Sequence, residues 1–271
     1  MLKIKNTYFN SYPIIFHHGG FPPMFLSWTD IKKQVFNYFS DGSNETFRGR
    51  KEKIDYPIPT LSNLSSELSN KLTVLIVTNF KEKGSAARSL DYFNYSYSLI
   101  GKDIIKFTFY EKYKEIINFI SSVETKYLML LDSDDVFIID QLDNLVETFE
   151  KEMNCQMLFN ASISNCPIEK NNIVCKKQTE FEKSVVPEIT PYKYLNSGVW
   201  IANVDFLKKT YKTLLKLGTD CFDDQAIFKK FYKIFYPEVK IDYSCKYFQS
   251  LRWSKELEEK YKMQLELEIG D

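Results

Sequence analysis

Apolar and polar residues follow one another along this chain in the alternating pattern of strands and helices. Short apolar runs rich in β-branched or aromatic residues predict strands, and apolar positions three or four residues apart predict helices. The predicted strands cover residues 72–79, 104–109, 127–131, 157–161 and 194–203, and the predicted helices cover 28–39, 85–100, 111–122, 140–153, 204–217 and 225–235. This order predicts an α/β fold with a mainly parallel central sheet and helices on both faces.

Three segments are less regular. Residues 41–70 are polar and rich in Ser and Asn, which predicts a linker or long surface loop. Residues 163–192 carry prolines and cysteines and predict a flexible flap, whereas the charged tail 254–270 predicts a surface helix. We therefore expect an N-terminal strand-helix segment over 1–50 packed on the rest, a linker over 51–70, and the main α/β domain over 71–271.

Composition excludes several classes of protein. The 36 basic and 36 acidic residues cancel, so a nucleic-acid partner is not expected. No apolar run approaches the roughly 20 residues of a membrane span, and no signal peptide core is seen near the N-terminus. We therefore expect a soluble protein. The five cysteines have no paired spacing, so neither a zinc site nor a full disulfide framework is indicated.

The clearest chemical signal is an acidic cluster directly after the apolar run 127–131. Asp132, Asp134 and Asp135 surround Ser133 where a buried strand should leave the sheet, which is the edge where open α/β sheets bind ligands. Like charges this close are unfavourable unless a cation offsets them. Carboxylate oxygens suit Mg²⁺ or Mn²⁺, which commonly hold substrate phosphates. The alternative is an acidic, solvated turn.

A second acidic pair, Asp223 and Asp224, precedes the predicted helix 225–235. These carboxylates are candidates for a catalytic role, but a helix N-terminus also favours negative charge, so capping alone could explain one of them.

Taken in order, these motifs resemble the glycosyltransferase domain of the lysyl hydroxylases and related procollagen glycosyltransferases. The resemblance covers about two thirds of the chain, from residue 72 to 251, and is carried by Val77-Thr78-Asn79, Ala87-Arg88-Ser89, Phe93-Asn94-Tyr95, Asp132-Ser133-Asp134-Asp135-Val136, Leu195-Asn196-Ser197-Gly198, Asp223-Asp224-Gln225 with Phe228, and Cys245-Lys246-Tyr247-Phe248-Gln249. It implies a GT-A fold, a nucleotide-binding α/β domain with a DxD or DxxD metal motif. It also implies transfer of glucose or galactose from a UDP-sugar to hydroxylysine or galactosyl-hydroxylysine of a collagen-like chain.

The resemblance also implies roles for individual residues. The uridine is expected at Val77, Thr78 and Asn79, and the Mn²⁺ or Mg²⁺ at Asp132 and Asp135. Asp134 completes a DxD spacing as well, so the choice of metal-binding carboxylates stays open, and Ser133 and Asp134 are expected beside the bound nucleotide-sugar. The acidic pair Asp223 and Asp224 is expected near the sugar and the acceptor. Lys112 or Lys114 could reach the phosphates, although an exposed helix position is the favoured interpretation of both.

Two departures from the family pattern are informative. The family has a His-Gly motif after the Phe-Gln stretch, but here no histidine follows Gln249. The chain's two histidines, His17 and His18, precede Gly19 and Gly20. We therefore predict that the N-terminal segment folds back and brings His17 or His18 to the metal, as in a circular permutation. The alternative is a histidine pair with no catalytic duty.

The second departure is Ser162, which stands where the family tends to carry an acidic residue, and this puts acceptor recognition in doubt. Two other classes of function stay open. The Asp132-Ser133-Asp134-Asp135-Val136 run also fits a haloacid-dehalogenase-like phosphatase, with Asp132 as the nucleophile and Asp134 as the acid/base. A non-catalytic sugar- or collagen-binding module is the other.

Donor sugar, acceptor identity, stereochemistry and a homodimer are left open, and the secretory pathway follows from family analogy only.

Overall fold

The computed structural model describes residues 2–17, 66–165, 173–187, 190–219, 223–251 and 265–269. The strands in these ranges are β1 Leu2–Asn6, β2 Ile15–His17, β3 Leu72–Val77, β4 Ser98–Ile100, β5 Tyr127–Leu131, β6 Val136–Ile138, β7 Met157–Ser162, β8 Tyr194–Asn203, β9 Val239–Ile241, β10 Phe248–Ser250 and β11 Leu265–Ile269. The helices are α1 Ser66–Lys71, α2 Ser85–Tyr92, α3 Phe109–Ile120, α4 Leu142–Glu152, α5 Ile173–Val185, α6 Val204–Thr219 and α7 Asp224–Ile234.

Six of these strands form the central sheet, in the order β4-β3-β5-β8-β7-β9. Strand β8 is antiparallel to both of its neighbours, whereas the β3–β4, β3–β5 and β7–β9 pairs are parallel. The other five strands therefore share one direction, and the predicted mainly parallel sheet is confirmed. Every residue of β5 is buried, as expected for a strand covered on both faces.

Two apolar cores lie on opposite faces of this sheet. Alternate strand residues such as Met129 and Leu131 join one core with Leu90 of α2 and Leu145 of α4. Their neighbours Leu128 and Leu130 join the other core, together with residues of α3, α6 and α7. Because side chains alternate across a strand, one apolar run supplies both cores. The predicted helices on both faces are thus confirmed.

A smaller sheet of order β10-β2-β6 brings the N-terminal segment to the acidic cluster. Strand β2 is antiparallel to β6, where His17 pairs with Val136, and parallel to β10, where His17 pairs with Ser250. The backbone N–H of Leu251 donates to the carbonyl of His17 over 2.9 Å. The last residue of β2 therefore lies beside the residue that follows Asp135.

One predicted helix boundary and one predicted strand near the start of the sheet are wrong. The helix predicted over 85–100 ends at Tyr92, because Asn94 adopts a left-handed backbone with φ 58° and the chain then enters β4. The strand predicted over 104–109 is absent from the described structure. Ile105 is fully exposed there, and the Thr108 side chain accepts a hydrogen bond from Glu111 N and caps α3.

Two further segments differ from expectation. The predicted flap 163–192 contains helix α5, whose Glu182 accepts a hydrogen bond from Leu195 N over 3.0 Å and pairs with Lys229 at 3.4 Å. The tail predicted as a helix contains β11 instead, which pairs with β1 in antiparallel register. Its Leu-Glu-Leu-Glu-Ile sequence has the period of two that strands show.

The predicted helix over 28–39 and residues 51–65 of the predicted linker lie outside the described residues. Residues 66–70 of that linker belong to helix α1 instead of a loop. The division of the chain at residues 50 and 70 stays a prediction. Among the described helices, none combines the length and apolar character needed to cross a membrane.

Candidate active site

The acidic cluster forms the connection between β5 and β6. Asp132 N donates to the carbonyl of Gly198 over 2.8 Å, and Ala86 N donates to the carbonyl of Ser133 over 3.0 Å. Gly84 lies so close that an added Cβ would be 2.3 Å from Ser133 O and 2.4 Å from Asp134 Oδ1. The connection is therefore held from two sides, by β8 and by the start of α2.

His17 meets this connection from the N-terminal strand. Its Nε2 lies 3.6 Å from Asp132 Oδ2 and 3.4 Å from Asp135 Oδ2. The ligand atoms of His17, Asp132 and Asp135 all lie within 4.8 Å of one another. The histidine side chain is buried, whereas the two carboxylates are about one quarter exposed. Three potential metal ligands, one near the N-terminus and two near the middle of the chain, thus converge on one point.

The charges at this point depend on one another. Burial alone would lower the pKa of His17, but the nearby carboxylates of Asp135 and Asp132 outweigh burial and raise it to about 9. Burial alone would raise the pKa of Asp132, but Lys112 and His17 outweigh it and lower that pKa well below its usual range. Asp132 is therefore ionised at neutral pH.

These residues fit a divalent cation. The buried Nε2 atom of His17 makes no hydrogen bond, because its contacts with Asp132 and Asp135 are ion-pair contacts at 3.6 and 3.4 Å, and a cation among these groups would give it a partner. Carboxylate oxygens suit Mg²⁺ and Mn²⁺, and imidazole nitrogen is a common metal ligand. At Gly198 an added Cβ would lie 2.5 Å from His17 Nε2 and 2.6 Å from Asp132 Oδ2. Glycine at this position keeps open the space beside His17 Nε2 and Asp132 Oδ2.

Of the predicted metal residues, the structure brings together His17, Asp132 and Asp135. Asp134 is exposed and lies outside this group, with its Oδ1 accepting from Ser133 Oγ at 3.4 Å. The other predicted residues of this region, His18, Gly19 and Gly20, lie outside the described residues.

Lys112 connects the two acidic clusters. Its Nζ lies 2.6 Å from Asp132 Oδ1 and 2.8 Å from Asp224 Oδ2. The side chain is buried and its pKa is raised, because the two carboxylates outweigh the effect of burial. The favoured interpretation of Lys112 as an exposed helix charge is therefore wrong. The same interpretation is correct for Lys114, because that side chain is exposed and pairs with Glu111 at 2.7 Å.

The two carboxylates of the second cluster have different positions. Asp223 caps α7, where its Oδ1 accepts from Ala226 N over 2.9 Å. Asp224 is buried beside Lys112, and burial raises its pKa although Lys112 opposes the shift. Gln225 N donates to Asp224 Oδ1 over 2.7 Å. The structure thus joins Asp224 directly to Lys112 and gives Asp223 a capping contact.

Val77 is the last residue of β3, the parallel neighbour of β5, and Thr78 and Asn79 follow it, so all three lie at the same edge of the sheet as Asp132. Thr78 N donates to Ile100 O over 2.9 Å, and Asn79 Nδ2 donates to Ile104 O over 3.2 Å. These bonds tie the end of β3 to the last residue of β4 and to the segment that follows it.

Several site residues were missed by sequence reasoning. Asn160 is buried with its Nδ2 3.4 Å from His17 Nδ1, and Asn196 Oδ1 accepts from Gly198 N over 3.0 Å. Gln225 Oε1 accepts from Ser197 N at 3.4 Å. Asn160 follows an apolar run in a short strand, and a buried polar residue in such a run is the signal that could have identified it. The hydroxyl of Ser162, the position of the second family departure, lies 3.3 Å from Ser164 Oγ and accepts from Ser164 N over 3.2 Å, and its backbone carbonyl accepts from Lys193 N over 3.1 Å.

No protein-family model matches the sequence, and no curated protein matches it either. Solved structures that are similar to the chain include two glycosyltransferases. One is a glycosyltransferase involved in the glycosylation of the major capsid of PBCV-1, with 11% identity, a TM-score of 0.40, and coverage of 70% of this chain and 99% of that chain. The other is the apo form of mouse xyloside xylosyltransferase 1, with 11% identity, a TM-score of 0.38, and coverage of 70% and 89%. Similarity at this level does not by itself assign a function.

Proposed function

We propose that this chain is a metal-dependent glycosyltransferase of the GT-A type that moves glucose or galactose from a UDP-sugar to a hydroxyl group. The proposal is carried by one observation, the convergence of His17 with Asp132 and Asp135. The family resemblance calls for a histidine beside the acidic motif, and the chain has none after Gln249. A histidine from the other end of the chain nevertheless lies at the acidic motif, which supports the resemblance.

In this proposal His17, Asp132 and Asp135 hold Mn²⁺ or Mg²⁺, and His18 and Asp134 are further candidate ligands. When bound, the cation would offset the negative charge that develops on the departing diphosphate. The imidazole is buried and the carboxylates are partly exposed, so the cation would have protein on one side and solvent or substrate on the other.

The donor would bind along the same edge of the sheet. Val77, Thr78 and Asn79 would receive the uridine, because they lie at the end of the strand beside β5. Ser133, Gly19 and Gly20 would contact the rest of the nucleotide-sugar. Their backbone N–H groups suit phosphate oxygens, as in other loops that bind anions.

Asp224 is the stronger of the two candidates for the acidic catalytic residue. Asp223 already accepts the capping bond from Ala226 N, whereas Asp224 lies one lysine side chain away from Asp132. A buried carboxylate with a raised pKa can orient an acceptor hydroxyl or take its proton. Lys112 contacts both Asp224 and Asp132, so it fixes the separation between this carboxylate and the proposed metal ligand.

The acceptor in this proposal is a hydroxyl of hydroxylysine or galactosyl-hydroxylysine in a collagen-like chain, or of a related glycan. This part rests on the family resemblance, from which Ser162 departs. An acceptor screen should therefore include free monosaccharides as well as hydroxylysine peptides.

The test is release of UDP from UDP-glucose and UDP-galactose by the purified chain with Mn²⁺, Mg²⁺ or EDTA. We expect metal-dependent release, and a loss of at least about 100-fold in Asp132→Asn, because one ligand of a charge-stabilising group is removed. Asp205 is an exposed residue in the first turn of α6, and Asp205→Asn is the matched control that should keep wild-type activity.

The same assay separates the alternatives. Hydrolysis of a generic phosphomonoester without UDP release would instead support the phosphatase, in which Asp132 attacks the phosphorus. Binding of the UDP-sugar without turnover would support a binding module.

A further inference from the structure

Asn160 is a buried polar residue directly behind His17. It lies on β7, where the pairing with β8 shifts its register between Phe159 and Asn160. Such irregularities re-aim side chains and are frequent next to active sites. The side chain is fully buried, and its Nδ2 lies 3.4 Å from both His17 Nδ1 and Asn196 Oδ1. The amide therefore contacts the nitrogen of His17 that faces away from the carboxylates.

The carbonyl oxygen of the Asn160 amide has no hydrogen-bond partner. Asn160 Oδ1 is buried and makes no hydrogen bond, which leaves an acceptor unsatisfied. An unpaired buried polar atom costs about 1–3 kcal/mol, so a bond available to it should form. The two ends of an amide are nearly indistinguishable in shape, and which end faces a neighbour follows from the hydrogen bonds available.

A cation bound to Nε2 of His17 would determine which end of the Asn160 amide faces Nδ1 of His17. A neutral imidazole that binds metal through Nε2 carries its proton on Nδ1, and that N–H needs an acceptor. The orphaned oxygen of Asn160 becomes that acceptor when the amide turns by half a rotation. The turn gives up the 3.4 Å bond from Asn160 Nδ2 to Asn196 Oδ1 in exchange for the bond from Nδ1–H, and Asn196 Oδ1 keeps its bond from Gly198 N.

We propose that Asn160 is a positioning residue for His17: its Oδ1 accepts the Nδ1 proton and so keeps the Nε2 lone pair aimed at the cation between Asp132 and Asp135. This inference rests on the proposed metal site. It adds a residue that does not touch the cation and acts through the orientation and tautomer of the imidazole.

Two variants separate this role from simple packing. Asn160→Leu keeps a side chain of similar size but removes the acceptor. Asn160→Asp keeps the acceptor and introduces a buried charge. If Asn160 only packs, Asn160→Leu should bind metal well and Asn160→Asp should bind it poorly. If Asn160 positions His17, Asn160→Asp should bind metal well and Asn160→Leu should bind it poorly. Thermal melting of both variants in EDTA reports their folding separately from metal binding.

The first readout is Mn²⁺ affinity of the full chain, measured by the electron paramagnetic resonance of free Mn²⁺ without any sugar donor. We expect about 10- to 100-fold weaker binding for Asn160→Leu, the usual effect of losing a partner behind a metal ligand. Asn160→Asp should bind Mn²⁺ about as well as the wild type, because a carboxylate also accepts from Nδ1–H.

The second readout is the imidazole nitrogen spectrum of ¹⁵N-labelled wild-type chain with diamagnetic Mg²⁺. The chain has only two histidines, and His18→Gln assigns their signals. Protonated Nδ1 and unprotonated Nε2 in His17 would support the proposal, and the reverse tautomer would overturn it even if a variant fails to fold.

Equal Mn²⁺ affinity of Asn160→Leu and wild type would overturn the role of Asn160 and leave the metal site standing. No Mn²⁺ binding by the wild type would overturn the metal site, and the role of Asn160 with it.

Discussion

At the scale of single residues, Gly198 determines whether the site can hold anything between His17 and Asp132. An alanine Cβ there would lie 2.5 Å from His17 Nε2 and 2.6 Å from Asp132 Oδ2, so both groups must move. We predict that Gly198→Ala lowers Mn²⁺ affinity and reduces turnover of a UDP-sugar by about 100-fold, the effect expected when catalytic groups are misplaced by about 1 Å.

Gly218 in α6 provides a matched control. A Cβ added there would lie 2.7 Å from Tyr113 Cε1, so the substitution is also crowded, but away from the acidic cluster. Gly218→Ala should lower the melting temperature and leave Mn²⁺ affinity unchanged. If both alanine variants lost metal binding equally, general destabilisation would explain the result and the specific role of Gly198 would be wrong.

Lys112 supports a second prediction at this scale. Its ammonium lies between two carboxylates at 2.6 and 2.8 Å, and its removal leaves both without this charge partner. Breaking a buried ion pair from one side costs about 3–5 kcal/mol, so Lys112→Met should lower the free energy of unfolding by that amount in urea titrations.

Lys114 lies two residues further along the same helix and is the control for Lys112. It pairs with Glu111 at the surface, where ion pairs contribute little, so Lys114→Met should leave the urea midpoint unchanged. A Lys112→Met variant as stable as Lys114→Met would show that the buried bridge does not stabilise the fold.

The contrast between these lysines shows what the sequence could and could not reveal about single residues. Asp132 and Asp135 were predictable, because an apolar strand that ends in carboxylates places them at the ligand-binding edge. The burial of Lys112 was also within reach, because it lies four and eight residues before Ile116 and Ile120 and shares the apolar face of α3. Its partner Asp224 was not, because only the packing of α3 against α7 brings the two together.

At the scale of elements, the turn before β10 decides where β2 and His17 lie. Asp242 is buried, and its carboxylate accepts from Lys246 N at 2.9 Å, Tyr247 N at 2.7 Å and Phe248 N at 2.9 Å. An asparagine turns one of its acceptor ends into a donor. Asp242→Asn should therefore cost about 3 kcal/mol of stability, the upper range for hydrogen bonds to a charged group.

The same variant should also weaken Mn²⁺ binding, since β10 pairs with β2 and the pairing holds His17 in place. Guanidinium titrations and Mn²⁺ binding check the two effects, with the exposed Asp205→Asn as the control. Stability close to that of the wild type would mean that the turn does not depend on this carboxylate.

The elements themselves were predictable where their signals were long. Strands β5 and β8 and helix α7 lie within one residue of expectation, because their apolar patterns are continuous. The error at 104–109 arose from an apolar run that resembles a strand. The Thr108-Phe109-Tyr110-Glu111 sequence has the spacing of a capping box, and it marks the start of α3 instead.

At the scale of the whole molecule, the segment that carries His17 and the end of the chain lie side by side. Strand β1 pairs with β11 in antiparallel register, with Leu2 opposite Ile269. Opposite residues in such a pair are about 5 Å apart, so a short linker could join them. The histidine motif would then follow the Phe-Gln stretch in the order that the family resemblance predicts.

This arrangement makes the predicted circular permutation testable. A rearranged gene would begin at Ser66, continue through Asp271, pass through a short Gly-Ser linker to Met1, and end at residue 65. Since the β1–β11 and β2–β10 pairs do not depend on the order of connection, we expect the rearranged chain to fold and to bind Mn²⁺ with wild-type affinity. His17→Ala in both chains should reduce the affinity to the same extent. A rearranged chain that folds, as judged by circular dichroism, but no longer needs His17 for Mn²⁺ would show that the histidine does not act at the position described here.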